Sequence, residues 1–110
     1  MYNYQKEMTN TVKQFIKDQA IDVLELSKQE LIDLIHENNL FDNLDRQYLP
    51  NEQAKLAVTS NWDLIRDLIT NGLLDLTDVD NWIHDGNYQA LDATIREALL
   101  PAIVALIMEN

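Results

Sequence analysis

Asp75, Asp78 and Asp80 bring three carboxylates within six positions, dense enough to suggest a site for a hard cation. An EF-hand loop would require glycine at its sixth place and glutamate at its twelfth. Counted from Asp78, those places hold Ile83 and Gln89, so the calcium loop fails. His84 between two acids and His36 beside Glu37 are the other ligand types, but 48 residues separate them and no ligand set results. The chain has no cysteine, which excludes disulfides and thiolate chemistry. No nucleophile elbow, phosphate-cradling glycine loop or Ser-His-Asp signature is present. Carboxylate pairs abound only because acids abound, so their adjacency does not mark acid–base catalysis. The sequence therefore predicts a protein that is not an enzyme, with no catalytic residues, no cofactor and no metal.

What remains is the charge field. Nineteen Asp/Glu face eight Lys/Arg in 110 residues, a formal net charge of −11. Such a field repels itself, keeps a protein soluble and favours encounters with basic partners. It also repels phosphates, which argues against direct nucleic-acid binding. The charge is uneven. Residues 62–97 carry eight acids against Arg66 and Arg96, and no lysine follows Lys55, whereas the first 61 residues hold ten acids and six bases. Asp63, Asp67, Asp75, Asp78, Asp80 and Asp85 are the candidate acidic face for a partner, with a merely solvated surface as the plain alternative. Trp62 and Trp82 are candidate aromatic anchors, since aromatic residues often dominate an interface centre; core burial is the alternative for each.

These residues must be positioned by helices. Two glycines and two prolines punctuate the whole chain, and no strand alternation is seen. A first helix is predicted over 3–19, with Tyr4, Met8, Val12, Phe15 and Ile16 on one stripe. Ser27-Lys-Gln-Glu30 has the form of a capping box and opens a second, lined by Leu31, Leu34 and Ile35. Residues 38–49 read as a loop. Pro50 or Asn51 opens a short helix to about Val58, and Ser60 or Asn61 caps another that ends at Asn71-Gly72. Thr77 starts a brief turn or helix, Asp85-Gly86-Asn87 breaks it, and a last helix runs from about Tyr88 to Met108. At 110 residues and 46% apolar content, the chain is expected to form one domain, an all-α compact bundle of about five helices.

The last helix is apolar all round beyond Ala98, which implies burial on every side or sharing with a partner. Pro101 predicts a kink there. Leu99, Ile103 and Leu106 are accordingly a candidate homodimer seam, with a central core helix as the alternative. Its longest apolar run, Ala98 to Met108, is eleven residues, short of the ~20 that a membrane span needs. The opening MYNYQKEMTN lacks the basic-then-apolar order of a secretory signal. A soluble, cytoplasmic protein without a membrane partner is expected.

The run Asp92-Ala-Thr94-Ile95-Arg96-Glu-Ala-Leu99-Leu100 resembles a recurrent Asp-x-Thr-Ile-Arg-x-x-Leu-Leu pattern of small acidic, mostly helical proteins of bacteriophages and mobile elements. The start, Tyr4-Gln-Lys-Glu-Met8 with Val12-Lys-Gln-Phe15-Ile16, is similar to the opening of that group. So is Asn51-Glu-Gln-Ala54 ahead of Asn61-Trp-Asp-Leu-Ile65. Members of that group often carry a glycine- and serine-rich stretch before the third helix, whereas 38–49 contains no glycine here, so no role transfers to that loop. The resemblance implies an inhibitor of host DNA-directed defence, of anti-CRISPR or antirestriction type, acting in the host cytoplasm. Carboxylates at helical spacing would occupy the Lys/Arg surface with which a nuclease holds DNA. An immunity or antitoxin-like protein facing a basic toxin, and a dimeric structural or accessory phage protein, are the other readings.

Overall fold

Asn3 starts the first helix by accepting a hydrogen bond from the Lys6 amide at 3.0 Å, satisfying a donor that the helix N-terminus would leave free. The computed structural model describes residues 2–41 and 49–109. Among them regular structure is entirely helical: α1 (Tyr4–Asp18), a 3₁₀ turn (Val23–Glu25), α2 (Lys28–Glu37), α3 (Asn51–Thr59), α4 (Trp62–Thr70), α5 (Leu76–Asp85) and α6 (Tyr88–Met108). Six α-helices stand where about five were expected. The difference lies at residues 77–84, because Asp75 accepts from the amides of Thr77 and Asp78 and sustains a ten-residue helix rather than a brief turn. No helix among the described residues is long and apolar enough to cross a membrane.

Local chemistry explains the boundaries. The capping box of α2 is complete, with Ser27 Oγ accepting from the Glu30 amide and Glu30 Oε1 accepting from the Ser27 amide. Four helices close on one motif: the amide two residues past the last turn reaches back to an earlier carbonyl, as in Ile21 to Ile16 and Leu73 to Leu68. Each motif needs a left-handed residue, supplied by Ala20, Asn39, Gly72 and Gly86. Ala20, at φ 50°, is the costly one, since a Cβ disfavours that region.

Two capping assignments differ from expectation. Asn51 is the first residue of α3, but its side chain serves α6: Oδ1 accepts from the amides of Tyr88 and Gln89, and Nδ2 donates to the Gly86 carbonyl. Asn61 precedes α4 without capping it. Its amide instead donates to the carbonyls of Ala57 and Tyr2, tying the N-terminal segment to the α3–α4 junction.

α6 is the shaft of the fold, packed against α1, α2, α3 and α5. α2 runs antiparallel to it, with Lys28 paired to Glu109 at 3.5 Å and His36 within 3.0 Å of Glu97. One group of buried side chains joins α1, α2 and the C-terminal half of α6, around Met8, Val12, Leu31, Ile35, Leu100 and Val104. A second joins α3, α4, α5 and the N-terminal half, around Ala57, Val58, Ile65, Val79, Leu91 and Ile95. Of the segment 38–49 read as a loop, Phe41 is buried, and residues 42–48 lie outside the described residues.

Candidate functional site

Asp63 and Asp67 occupy the outer side of α4 one turn apart, because Ile65 and Leu68 turn the opposite side inward. Val79 does the same for α5 and leaves Asp78, Asp80 and Asp85 outward, with Asp75 at the helix start. All six sequence-predicted acids are exposed. Arg66 is the nearest base in the chain and is held by Asp63 at 3.6 Å, a solvent-exposed pair worth little.

The structure brings Asp75, Asp78 and Trp82 together around a depression of about 490 Å³, walled also by Leu73 and Thr94. Trp82 is half-buried against the second group of core residues, whereas Trp62 lies outside at 36% exposure. Leu73 and Leu76, which sequence reasoning passed over, are more than half exposed beside Asp75. Exposed apolar side chains thus stand next to these acids in the chain. Among the described residues no three His, Asp or Glu side chains could together hold a metal ion.

The candidate seam residues separate. Ile103 is 3% exposed and packs into the chain's own core, where the 3.6-residue twist sets it with Leu100 and Val104. Leu99 is half-buried, and Leu106 is 41% exposed. The last helix is also not covered all round, since Pro101 and Ala102 face solvent.

Two charges counted in the acidic half are not surface charges. Asp92 and Arg96 are fully buried. Arg96 donates from Nε to Asp92 Oδ2 at 3.0 Å and from Nη2 to Oδ1 at 3.2 Å, while the Tyr4 hydroxyl donates to Oδ1 at 2.6 Å. Arg96 Nη2 also donates to the Tyr2 hydroxyl at 2.7 Å, and the guanidinium lies 4.9 Å from the Tyr4 ring centre. Burial and then the neighbouring carboxylate push the Tyr4 hydroxyl far above the ordinary phenol value. Burial opposes the charge on Arg96, but its bonds to Asp92 prevail and raise its value. The Asp-x-Thr-Ile-Arg run is therefore a core device that locks α1 to α6. Its four-residue Asp-to-Arg spacing amid apolar neighbours was the available signal. No protein-family model, curated protein or solved structure matches the chain.

Proposed function

We propose that the chain is a phage or mobile-element inhibitor of anti-CRISPR or antirestriction type, which covers a basic DNA-binding surface of a host nuclease with its acidic face. The observation that carries the reading is the exposure of all six Asp side chains on α4 and α5, in a stretch whose two bases are already engaged by Asp63 and Asp92. Carboxylates on rigid helices stand about 5–6 Å apart at neighbouring turns and compete for cations that otherwise hold phosphates. Leu73, Leu76 and Trp62 add apolar contact beside them. We read Pro101 as bending α6, because it removes one amide from the helix and crowds the preceding turn.

The test is competition with DNA. Replacing the six Asp by Asn keeps their size, and Asn at 75 retains an oxygen for the α5 cap. The folded variant should lose binding to a basic nuclease, and wild-type association should slow as salt rises. The pair Asp18 and Asp22 serves as the control. Binding indifferent to both salt and the six substitutions sinks the mechanism. Capture of a basic toxin in place of a DNA-processing enzyme would move the reading to an immunity protein.

A further inference from the structure

The first turn of α1, helix α4 and helix α6 leave between them a groove of about 360 Å³. Its walls include Leu64, Leu99, Ala102 and Leu106, and Asn3 and Gln5 form part of its edge. Leu99, Ala102 and Leu106 recur at the spacing of one helix face and span about 10 Å of rise, the length of two turns of a second helix. On the opposite wall Leu64 is followed one turn later by Asp67 and preceded by Asp63, both exposed. The α4 wall of this apolar groove is thus flanked along its own helix by two exposed carboxylates.

We infer that this groove seats the apolar stripe of a basic amphipathic helix on the partner, with that helix's Lys or Arg side chains lying along Asp67 and Asp63. The inference rests on the acidic-face reading and adds the shape of what docks. Charge decides the occupant. A second copy of this chain would bring its own Asp63 and Asp67 to the same edge of a molecule of net charge −11, whereas a basic helix meets opposite charge there. A helix laid in a groove also buries apolar side chains at i, i+3, i+4 and i+7, and Leu99, Ala102, Ile103 and Leu106 line this groove at the same spacing. Because Arg66 already engages Asp63, the partner's cation falls chiefly to Asp67.

The experiment uses two fluorescein-labelled Leu/Lys peptides of about 18 residues and identical composition, one with leucines striped for a helix and one scrambled. Their binding to the full chain is followed by anisotropy at low and high salt. The striped peptide should bind at least ~10-fold tighter than the scrambled one. Leu106→Gln and Ala102→Gln, both at exposed positions, should each weaken the striped peptide about 5-fold without affecting the scrambled one. Leu24→Gln, at a distant and 92% exposed site, should change neither. Asp67→Asn should weaken both peptides, and more than Asp63→Asn does. Equal affinity for the two peptides overturns the groove while leaving the acidic face standing; no binding of either at low salt overturns both. Folded Leu106→Gln and Ala102→Gln chains that bind the striped peptide as tightly as the wild type does overturn the groove, as does a wild-type dimer that Leu106→Gln dissociates.

Discussion

Replacing Arg96 by Met removes the cation from a carboxylate that has no access to water. Asp92 is fully buried and accepts three hydrogen bonds, two of them from Arg96, so Arg96→Met leaves the Tyr4 hydroxyl as the remaining donor of the three. Stripping one partner from a buried ion pair costs about 3–5 kcal/mol, a large fraction of the 5–15 kcal/mol that holds a typical domain together. At roughly 4 °C per kcal/mol for a chain of this length, the melting temperature should fall by about 12–20 °C. Urea unfolding followed by circular dichroism measures the loss directly. Replacing the trio together, Asp92→Leu/Arg96→Met/Tyr4→Phe, should recover most of the loss, since apolar substitutes for a buried ion pair are often neutral. An Arg96→Met cost under about 1 kcal/mol, or a triple variant no better than the single, would refute the argument that the pair is a mutually dependent buried unit.

Tyr4→Phe should cost about 1.5–3 kcal/mol, the worth of a hydrogen bond to a charged acceptor. Because the folded hydroxyl titrates above the unfolded one, its contribution is whole below about pH 10 and declines by roughly 1.4 kcal/mol per pH unit above it. The Phe variant should lack that part of the alkaline slope in a pH series of urea melts. Ala20→Gly should stabilise by about 0.5–1 kcal/mol, since glycine accepts the left-handed backbone that Ala20 adopts; a lower urea midpoint would contradict it. Asp75→Ala should cost about 1 kcal/mol through loss of the α5 cap, while Asp75→Asn should cost less. Glu30 is held below the usual carboxylate range by the donors of Ser27. Its contribution is present above that range and lost as pH falls through it, and Ser27→Ala should lessen that acid slope only in part, because the backbone amide at 27 still donates to Glu30.

Helical periodicity made the inward stripes of α1, α2 and α4 legible, because each helix has one wet side and one dry side. The outward Asp side chains of α4 and α5 followed from the same argument. Asp92 and Arg96 did not, because a charge count treats every carboxylate as solvated, and only the arrival of Tyr2 and Tyr4 from the other end of the chain makes their burial affordable. Ala20 escaped notice for a related reason: helix ends are read from glycine and asparagine, and tertiary contacts can impose the same backbone on alanine. Ile103 shows how coarse a stripe is. A helix face is a continuous arc, and only packing partners decide which of Leu99, Ala102, Ile103 and Leu106 turn to the core. Asn51 and Asn61 were recognisable as capping types, but which helix end each serves is a long-range fact.

The division of the buried side chains into two groups that meet at Leu99 has a consequence for how the molecule breathes. Helices α3 to α5 share one group and α2 the other, with α1 and α6 crossing both. Helices α3 to α5 are therefore expected to open as a cooperative unit before α2 and the C-terminal half of α6 undock. Amides of α4 and α5 should then exchange with solvent deuterium through an opening that needs less free energy than global unfolding, whereas those of α2 and residues 102–107 should exchange only with it. A ligand clasping α4 and α5 would slow the first set selectively, so the exchange pattern would locate the grip without a structure of the complex.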